Sequence, residues 1–501
     1  MNLPGLIKSR LHRGWSLAAL GPNEARLLFD SASAVGAVAA SALFLQLFDS
    51  ADRLNGRVWL LVLLPVLFLL LNVIAGVYTR LKRTASRVKA LVLVATVALS
   101  CLLGWAAGAP PSGVVLWGLL VVGPVVMARM LLGLQFSKHA SLVSTLVVNR
   151  RGPVVVLGGA GYIGCHTVDL LLQKGYHVRV LDRLMYGRDP IAGFLSHPNF
   201  EIVEGDVTDI TRVTSVMRNA SAVIHLAGLV GDPACAVDID FTRHTNIVAT
   251  RMAKDVAQSL GIYRFIFASS CSVYGVSDHE VDELSELHPV SLYAQTKIDS
   301  EKELLFVGRD DFFVTALRFA TVFGHSRRPR FDLVANLFTA QAMTEGLITV
   351  VGPDQWRPFV HVRDLARAIV TVLEARPALV QGQVFNVGNP RLNLTIGALA
   401  EIVERVASEF RGGVTRSVRP QNTEDRRNYA VSFAKIQRQL AFEPTSELEE
   451  GIREMARHFI DGTYHHYRDE VYSNVATTRR AVEYFHDPLE SQRLYGPLKA
   501  S

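Results

Sequence analysis

The sequence predicts a doubly wound parallel α/β sheet with a small C-terminal substrate domain, preceded by an all-α region of four membrane-spanning helices. Three observations carry this reading. An apolar strand runs directly into a glycine turn over 154–164. An acidic residue, Asp182, closes a second apolar strand 18 residues after Gly164. Long charge-free runs are confined to the first third of the chain, which concentrates there the excess behind a 49% hydrophobic composition.

Residues 1–28 are expected on the cytoplasmic side. Within them Leu3–Leu20, with Arg10, Arg13 and Trp15, reads equally as an interfacial amphipathic helix or as a tail. Residues 29–134 hold the spans: Ser31–Phe48, Trp59–Tyr78, Ala90–Gly108 and Val114–Leu134. Trp59–Tyr78 is 20 residues without a charge, enough for a helix to cross a hydrocarbon core of about 30 Å. Arg129, near the end of the fourth run, can snorkel to the interface. Lys8, Arg10, Arg13 and Arg26 precede the first span, and Arg80, Lys82, Arg83, Arg87 and Lys89 fill the second loop. Basic loops stay cytoplasmic, so four spans return the chain to the cytoplasm of a bacterial inner membrane. The net charge of +6 is largely this topology signal, attracted by the anionic leaflet. It calls for no nucleic-acid partner. Residues 135–151 read as a short linker with a basic end.

The dinucleotide-binding domain is expected over 152–325. Gly158, Gly161 and Gly164 follow the strand Val154–Leu157. The first glycine permits a tight turn, the second lets the backbone approach a pyrophosphate, and the third lets helix and strand pack closely. The pyrophosphate then rests on a helix N-terminus, where unpaired amides and the helix dipole favour negative charge. Asp182 stands where an acidic residue binds the ribose hydroxyls.

Three further residues give the chemistry. Ser270 ends an apolar stretch, Phe265-Ile-Phe-Ala-Ser-Ser, and Tyr293 and Lys297 stand four apart on one helix face. A phenol, with an ordinary pKa of about 10, is a poor base at neutral pH. An ammonium one helical turn away favours its ionised form. Placed downstream of a dinucleotide site, this trio reads as the catalytic couple of an enzyme that oxidises and reduces an alcohol carbon. The four cysteines, Cys101, Cys165, Cys235 and Cys271, show no metal-ligand spacing, and no metal is expected. His225 and His361 lie in strand-like runs and read as structural.

Together these motifs resemble the extended short-chain dehydrogenase/reductases of the sugar-nucleotide epimerase and dehydratase group. The resemblance spans about Val154 to residue 460. It includes Glu204-Gly-Asp-Val-Thr-Asp, Val223-Ile-His-Leu-Ala-Gly, Ser269-Ser-Cys-Ser-Val-Tyr-Gly, Arg318-Phe-Ala-Thr-Val-Phe-Gly, Arg357-Pro-Phe-Val-His-Val-Arg-Asp and Phe385-Asn-Val-Gly. It implies a Rossmann domain that binds NAD, and a substrate-binding region, 326–470, interleaved with the last Rossmann elements. Residues 471–501 are left as a C-terminal tail. Carried over by position, Gly158, Gly161, Tyr162, Ile163, Gly164, Asp182, Asp206, Val207, Leu226, Ala227, Gly228 and Asn246, with Tyr293 and Lys297, would hold NAD. Asp206 would contact adenine. Ser270, Tyr293 and Lys297 would be catalytic. Ser270, Thr321, Arg357 and Arg427 would bind substrate, with Arg357 facing its diphosphate. Asn246 and Asp364 read equally as turn and cap residues. The family also implies a homodimer through the helix after Asn246 and the helix bearing Tyr293. The apolar positions Ile247, Ala249, Met252 and Val256 fit that face or a monomer core.

The chain departs from the family's 4,6-dehydratases. Those follow the catalytic hydroxyl residue with an acidic pair, where this chain has Cys271 and Ser272. Many relatives also have an asparagine at the position of Thr321. The expected function is therefore a membrane-anchored, NAD-dependent sugar 4-epimerase. Its substrate would be a nucleotide-sugar or a polyprenyl-diphosphate-sugar in surface-glycan synthesis, beside other glycan-assembly enzymes. A dehydratase or net reductase on the same fold is the first alternative. A membrane scaffold with a cofactor-sensing domain is the second.

Overall fold

The computed structural model describes residues 152–305, 312–419, 427–464 and 466–486. The four expected spans, the N-terminal segment, Cys101 and the whole linker, 135–151, lie outside these residues. Among the described residues no helix is long and apolar enough to cross a membrane.

The strands, in chain order, are β1 (Val154–Leu157), β2 (Val178–Asp182), β3 (Phe200–Glu204), β4 (Ala222–His225), β5 (Arg264–Ser270), β6 (Phe313–Phe319), β7 (Thr321–Phe323), β8 (Leu347–Val351), β9 (Trp356–His361), β10 (Gln383–Val387), β11 (Asn393–Thr395) and β12 (Thr415–Arg419). The longer helices are α1 (Tyr162–Gln173), α2 (Ile210–Met217), α3 (Ala249–Ser259), α4 (Leu292–Leu305), α5 (Val334–Glu345), α6 (Val362–Glu374), α7 (Ile396–Ala407), α8 (Leu448–Ile460) and α9 (Asn474–His486). Seven strands form one parallel sheet in the order β10-β6-β5-β4-β1-β2-β3. The strand order reverses between β1 and β4, and ligands of open α/β sheets bind outside the carboxyl ends at such a switch point.

Both faces of this sheet are covered, which is why its strands read as continuous apolar runs. On one face Val154 and Val156 of β1 pack with Val168, Leu171 and Leu172 of α1 and with Leu365, Ile369 and Val372 of α6. On the other, Val155 and Leu157 pack with Val213, Val216 and Met217 of α2 and with Ala249, Ala253, Val256 and Ala257 of α3. Ala249 and Val256, candidates for a dimer face, are thus spent on the monomer's own core, and Met252 packs at its margin. Of the two faces the stripe allowed, this is the monomer core: a helix lying on its own sheet. Arg264, at the start of β5, is buried because its guanidinium donates to the carbonyls of Val372, Leu373 and Ala375, the unpaired C-terminal end of α6.

A second core lies in the smaller lobe. Phe338 of α5, Ile348 and Val350 of β8, Phe359 of β9, Leu399 and Val403 of α7 and Ile452 of α8 pack around Phe323. β10 then returns to the main sheet beside β6, so the two lobes are interleaved in sequence. The segment expected to be a tail contains α9, whose Ala481 packs with Leu229, Cys235 and Phe241.

Behind the sheet's carboxyl edge sits a buried ion pair. Arg318 of β6 donates from Nε and Nη2 to Glu301 of α4, at 3.0 and 2.7 Å. Ser269 of β5 donates to the same carboxylate at 2.5 Å. Arg318 Nη1 donates to the Tyr274 hydroxyl at 2.9 Å, and that hydroxyl donates to Asn386 of β10 at 2.7 Å. Removing one partner of a buried pair leaves the other charge uncompensated, at about 3–5 kcal/mol. We expect Glu301→Gln to lose stability of that order in denaturant unfolding, and Glu301→Leu combined with Arg318→Met to recover part of it. A single variant within about 0.5 kcal/mol of the parent, the range of ordinary surface changes, would contradict this role.

Candidate active site

Parallel pairing in register brings five strand ends to one edge. Leu157 pairs with Leu181 and with His225, and Ser270 pairs with Phe319. The turns after β1, β2, β4, β5 and β6 therefore open into one cleft of about 290 Å³.

The glycine turn is shaped as a cradle. Gly158 has φ +82°, and a Cβ there would lie 2.7 Å from the Ala227 amide nitrogen. A Cβ on Gly164 would lie 2.3 Å from the Gly158 carbonyl oxygen. α1 begins with no side-chain cap, so its first amides, at Tyr162 and Ile163, are offered to the cleft. Asp182 closes β2 with both oxygens oriented: Oδ2 accepts from Ala160 N at 2.9 Å and Oδ1 from Leu184 N at 2.8 Å. Burial raises the pKa of this carboxyl, and the two backbone donors oppose the shift. Arg183 is turned away to Asp206, Nη1 to Oδ2 at 3.1 Å, while Asp206 Oδ1 accepts from Thr208 N at 2.8 Å. Val207, Leu226, Ala227 and Gly228 complete this wall. A glycine cradle, free helix amides and a ribose-facing carboxylate fit the two halves of a dinucleotide.

The reacting end is built from β5 and α4. Ser270 Oγ accepts from Ser272 N at 3.1 Å and is hydrogen-bonded to the Tyr293 phenol. Burial raises the phenol's pKa, Cys235 adds to this, and Arg330 and Ser270 oppose it. Lys297 Nζ donates to the Ala268 carbonyl at 2.8 Å and lies 5.7 Å from the Tyr293 ring centroid. Burial pushes Lys297 down from 10.5 to about 8. The buried phenol thus holds its proton, and the lysine is poised to gain or lose one near neutrality.

Two residues expected at a ligand lie off the cleft, and Asn246 takes the alternative role the sequence allowed, holding a loop. Asn246 is 4% exposed and does not line the cleft. It clamps the loop after β4: Oδ1 accepts from Leu229 N at 2.8 Å, and Nδ2 donates to Leu229 O at 3.0 Å and Thr296 Oγ1 at 3.2 Å. Both ends of its amide are thus matched by the protein. Arg357 is 4% exposed and also off the cleft, donating to the carbonyls of Trp356 and Arg427. It props the segment that carries Arg427, which does line the cleft, as Thr321 does. His225 Nε2 pairs with Thr250 Oγ1 at 2.9 Å, and His361 Nδ1 accepts from Arg363 N at 3.2 Å. Cys165, Cys235 and Cys271 are buried thiols. The sequence reading missed Tyr186, Asp232, Arg328, Arg330 and Asn474, all in the cleft wall. The basic run Arg327-Arg328-Pro-Arg330 was the available signal for two of them.

Two outcomes follow from this geometry. Asp182 repels a 2′-phosphate and Arg183 is already paired, so NADP should bind at least about tenfold more weakly than NAD, a gap of about 1.4 kcal/mol; calorimetry giving equal affinities would count against the assignment. Lys297 binds its proton less tightly folded than unfolded. Its burial therefore lowers stability in full below pH 8, and the handicap fades between pH 8 and 10.5. The melting temperature of Lys297→Met, relative to the parent, should fall as pH rises from about 7 to about 9.5. A difference that stays flat or grows over that range contradicts a depressed lysine.

Residues 154–388 match the model of the NAD dependent epimerase/dehydratase family. The chain is 29% identical over 326 residues to UDP-glucuronic acid decarboxylase 1 of Arabidopsis thaliana, covering 62% of this chain and 70% of that protein. Among solved structures, UDP-glucose 4-epimerase of Thermotoga maritima with UDP-glucose superposes with a TM-score of 0.56 at 26% identity, over 62% of this chain and all of that one. MoeE5 in complex with UDP-glucose and NAD gives 0.54 at 27% identity, again over 62% and 100%. The cradle, the ribose carboxylate and the Ser270–Tyr293–Lys297 trio all lie within this matched stretch, which is similar to the NAD dependent epimerase/dehydratase family, and NAD is the cofactor.

Proposed function

We propose that the chain is a sugar 4-epimerase acting on a nucleotide-sugar or a polyprenyl-diphosphate-sugar. The observation that carries this reading is the make-up of the reacting end. Ser270, Tyr293 and Lys297 meet there, while the two residues after Ser270 are the buried Cys271 and Ser272 rather than acids. Of the carboxylates among the described cleft residues, Asp182 and Asp206 lie at the adenosine end and Asp232 faces Arg427 at 3.6 Å. Asp232 is close enough for its charge to oppose ionisation of Tyr293, but no acid directly follows Ser270 in the chain, and that absence suits proton removal and return better than elimination of water.

NAD supplies a hydride acceptor and donor, and its positive ring favours the phenolate. Ser270 holds the sugar hydroxyl oxygen. Tyr293 takes its proton as the carbon is oxidised, and Lys297 stabilises the phenolate. After the keto-sugar turns over, Tyr293 returns a proton to the oxygen of the inverted carbon. Asp182 orients the ribose, and Arg427 meets the carrier diphosphate. The charge-free runs before residue 135 support the further reading that the enzyme is anchored in a membrane, beside lipid-linked substrate or the next enzyme. The similarity to UDP-glucuronic acid decarboxylases favours a second reading, in which a sugar 6-carboxylate is lost from the same keto intermediate.

Incubation with UDP-glucose, UDP-glucuronic acid and a lipid-linked hexose, with products identified by NMR, separates these. Inversion at C4 supports the proposal, and a UDP-pentose with released CO2 moves the assignment to the second reading. We expect Tyr293→Phe to keep the fold and bound NAD but lose about 10²–10⁴-fold in turnover, the usual contribution of a general acid–base group. Near-parental activity would remove Tyr293 from the chemistry.

A further inference from the structure

We infer that Arg328 is a binding side chain for the cofactor's diphosphate, and that the C-terminal helix α9 fastens it in place through Asn474. The inference concerns cofactor retention and holds whichever sugar is turned over.

The loop carrying Arg328 is sewn onto the first turns of α1. The Tyr162 hydroxyl donates to Gly324 O at 2.7 Å, Ser326 Oγ donates to Tyr162 O at 2.8 Å, and His166 Nε2 lies 2.9 Å from His325 O. Arg328 therefore reaches the cleft beside the helix N-terminus, where a diphosphate is expected. Its charge is felt by Asp182 and by Tyr162 and Cys165 of α1.

Arg328 is 4% exposed yet lines the cleft. The guanidinium lies 3.6 Å above the Tyr186 ring, and Nη2 donates to Asn474 Oδ1. Nε is buried and has no hydrogen-bond partner among the described residues. The other cleft arginines have carboxylates: Arg183 with Asp206 at 3.1 Å, Arg330 with Asp332 at 2.6 Å, and Arg427 with Asp232 at 3.6 Å. Among the described residues no carboxylate forms a direct ion pair with Arg328; Asp332, already held by Arg330, reaches it at longer range. Burying a cation without a counter-ion is costly, and a bound anion removes that cost. Asp182 and Arg328 are then the two charges this end of the cleft leaves for a ligand. A ribose diol answers the first and a diphosphate the second.

Asn474 is the first residue of α9. Its Oδ1 also accepts from the Tyr186 hydroxyl at 2.9 Å, and its Nδ2 donates to Val230 O at 3.2 Å and Asp332 Oδ2 at 3.3 Å. One amide thus ties the loop after β2, the loop after β4 and the loop bearing Arg328. Further along α9, Phe485 lies 5.1 Å from Phe241, which also lines the cleft. Release of a dinucleotide from this wall requires that fastening to open.

The test uses the full-length protein in detergent with Arg328→Gln, Arg328→Lys and Asn474→Ala. Exchange of bound NAD against labelled NAD gives the off-rate, and calorimetry on nucleotide-stripped protein gives affinities for NAD, ADP, adenosine and UDP. Arg328→Gln should weaken NAD and ADP at least tenfold and leave adenosine and UDP unchanged. Arg328→Lys should lie between, and Asn474→Ala should speed NAD exchange at least tenfold. Should Arg328→Gln fail to fold, the other two variants decide. Unchanged NAD exchange and ADP affinity, an equal loss for adenosine, or a loss confined to UDP, which would place Arg328 on the substrate, each overturns the inference.

Discussion

The buried pair between Glu301 and Arg318 is the constraint on which the active site depends. A charge pair in a protein interior is rarely worth more than a packed apolar pair, so its energetic case is weak. Its geometric case is strong. The Glu301 carboxylate binds Ser269 and Arg318 together, and these neighbour Ser270 and belong to β5 and β6. Glu301 lies one helical turn beyond Lys297 on α4. The pair therefore fixes the distance between the strand that presents Ser270 and the helix that presents Tyr293 and Lys297. A hydrophobic contact could slide, whereas a forked guanidinium on a carboxylate sets both distance and angle.

The rest of the site follows from parallel register and from the handling of charge. Because the strands run the same way, every functional turn emerges on one edge, and that edge includes the point where strand order reverses, at which sheets of this kind bind their ligands. The protein then matches most charges near that edge internally. Arg183 is held by Asp206, Arg330 by Asp332, and Arg264 by a helix end. Lys297 is the exception at the reacting end. It is buried beside Phe267 and donates to the Ala268 carbonyl, with no carboxylate paired to it among the described residues, and burial loosens its hold on its proton.

What the sequence made legible was local. Gly158, Asp182, Ser270 and the pair Tyr293–Lys297 each announce themselves within a strand end or one helical turn, and each stands in the cleft wall. What stayed hidden depends on partners far along the chain. Asn246 has the right position to face a ligand, but Leu229 and Thr296 take its amide. Arg357 has a family-like setting, but its guanidinium meets the carbonyl of Arg427, 70 residues on. Asn474 is 146 residues from Arg328, and no periodicity could bring the two together. The apolar stripe of α3 was legible as a stripe, not as to which surface it faces.

The central claim is that this cleft oxidises and re-reduces one carbon of a sugar without exchanging its hydrogen or its cofactor. The most direct test is turnover of a UDP-hexose deuterated at C4, followed by NMR of the product and by absorbance at the reduced-nicotinamide band of the solvent fraction. The account predicts inversion at C4 with the deuterium retained there and no reduced nicotinamide released. Loss of the label to water, or accumulation of free reduced cofactor, would contradict it.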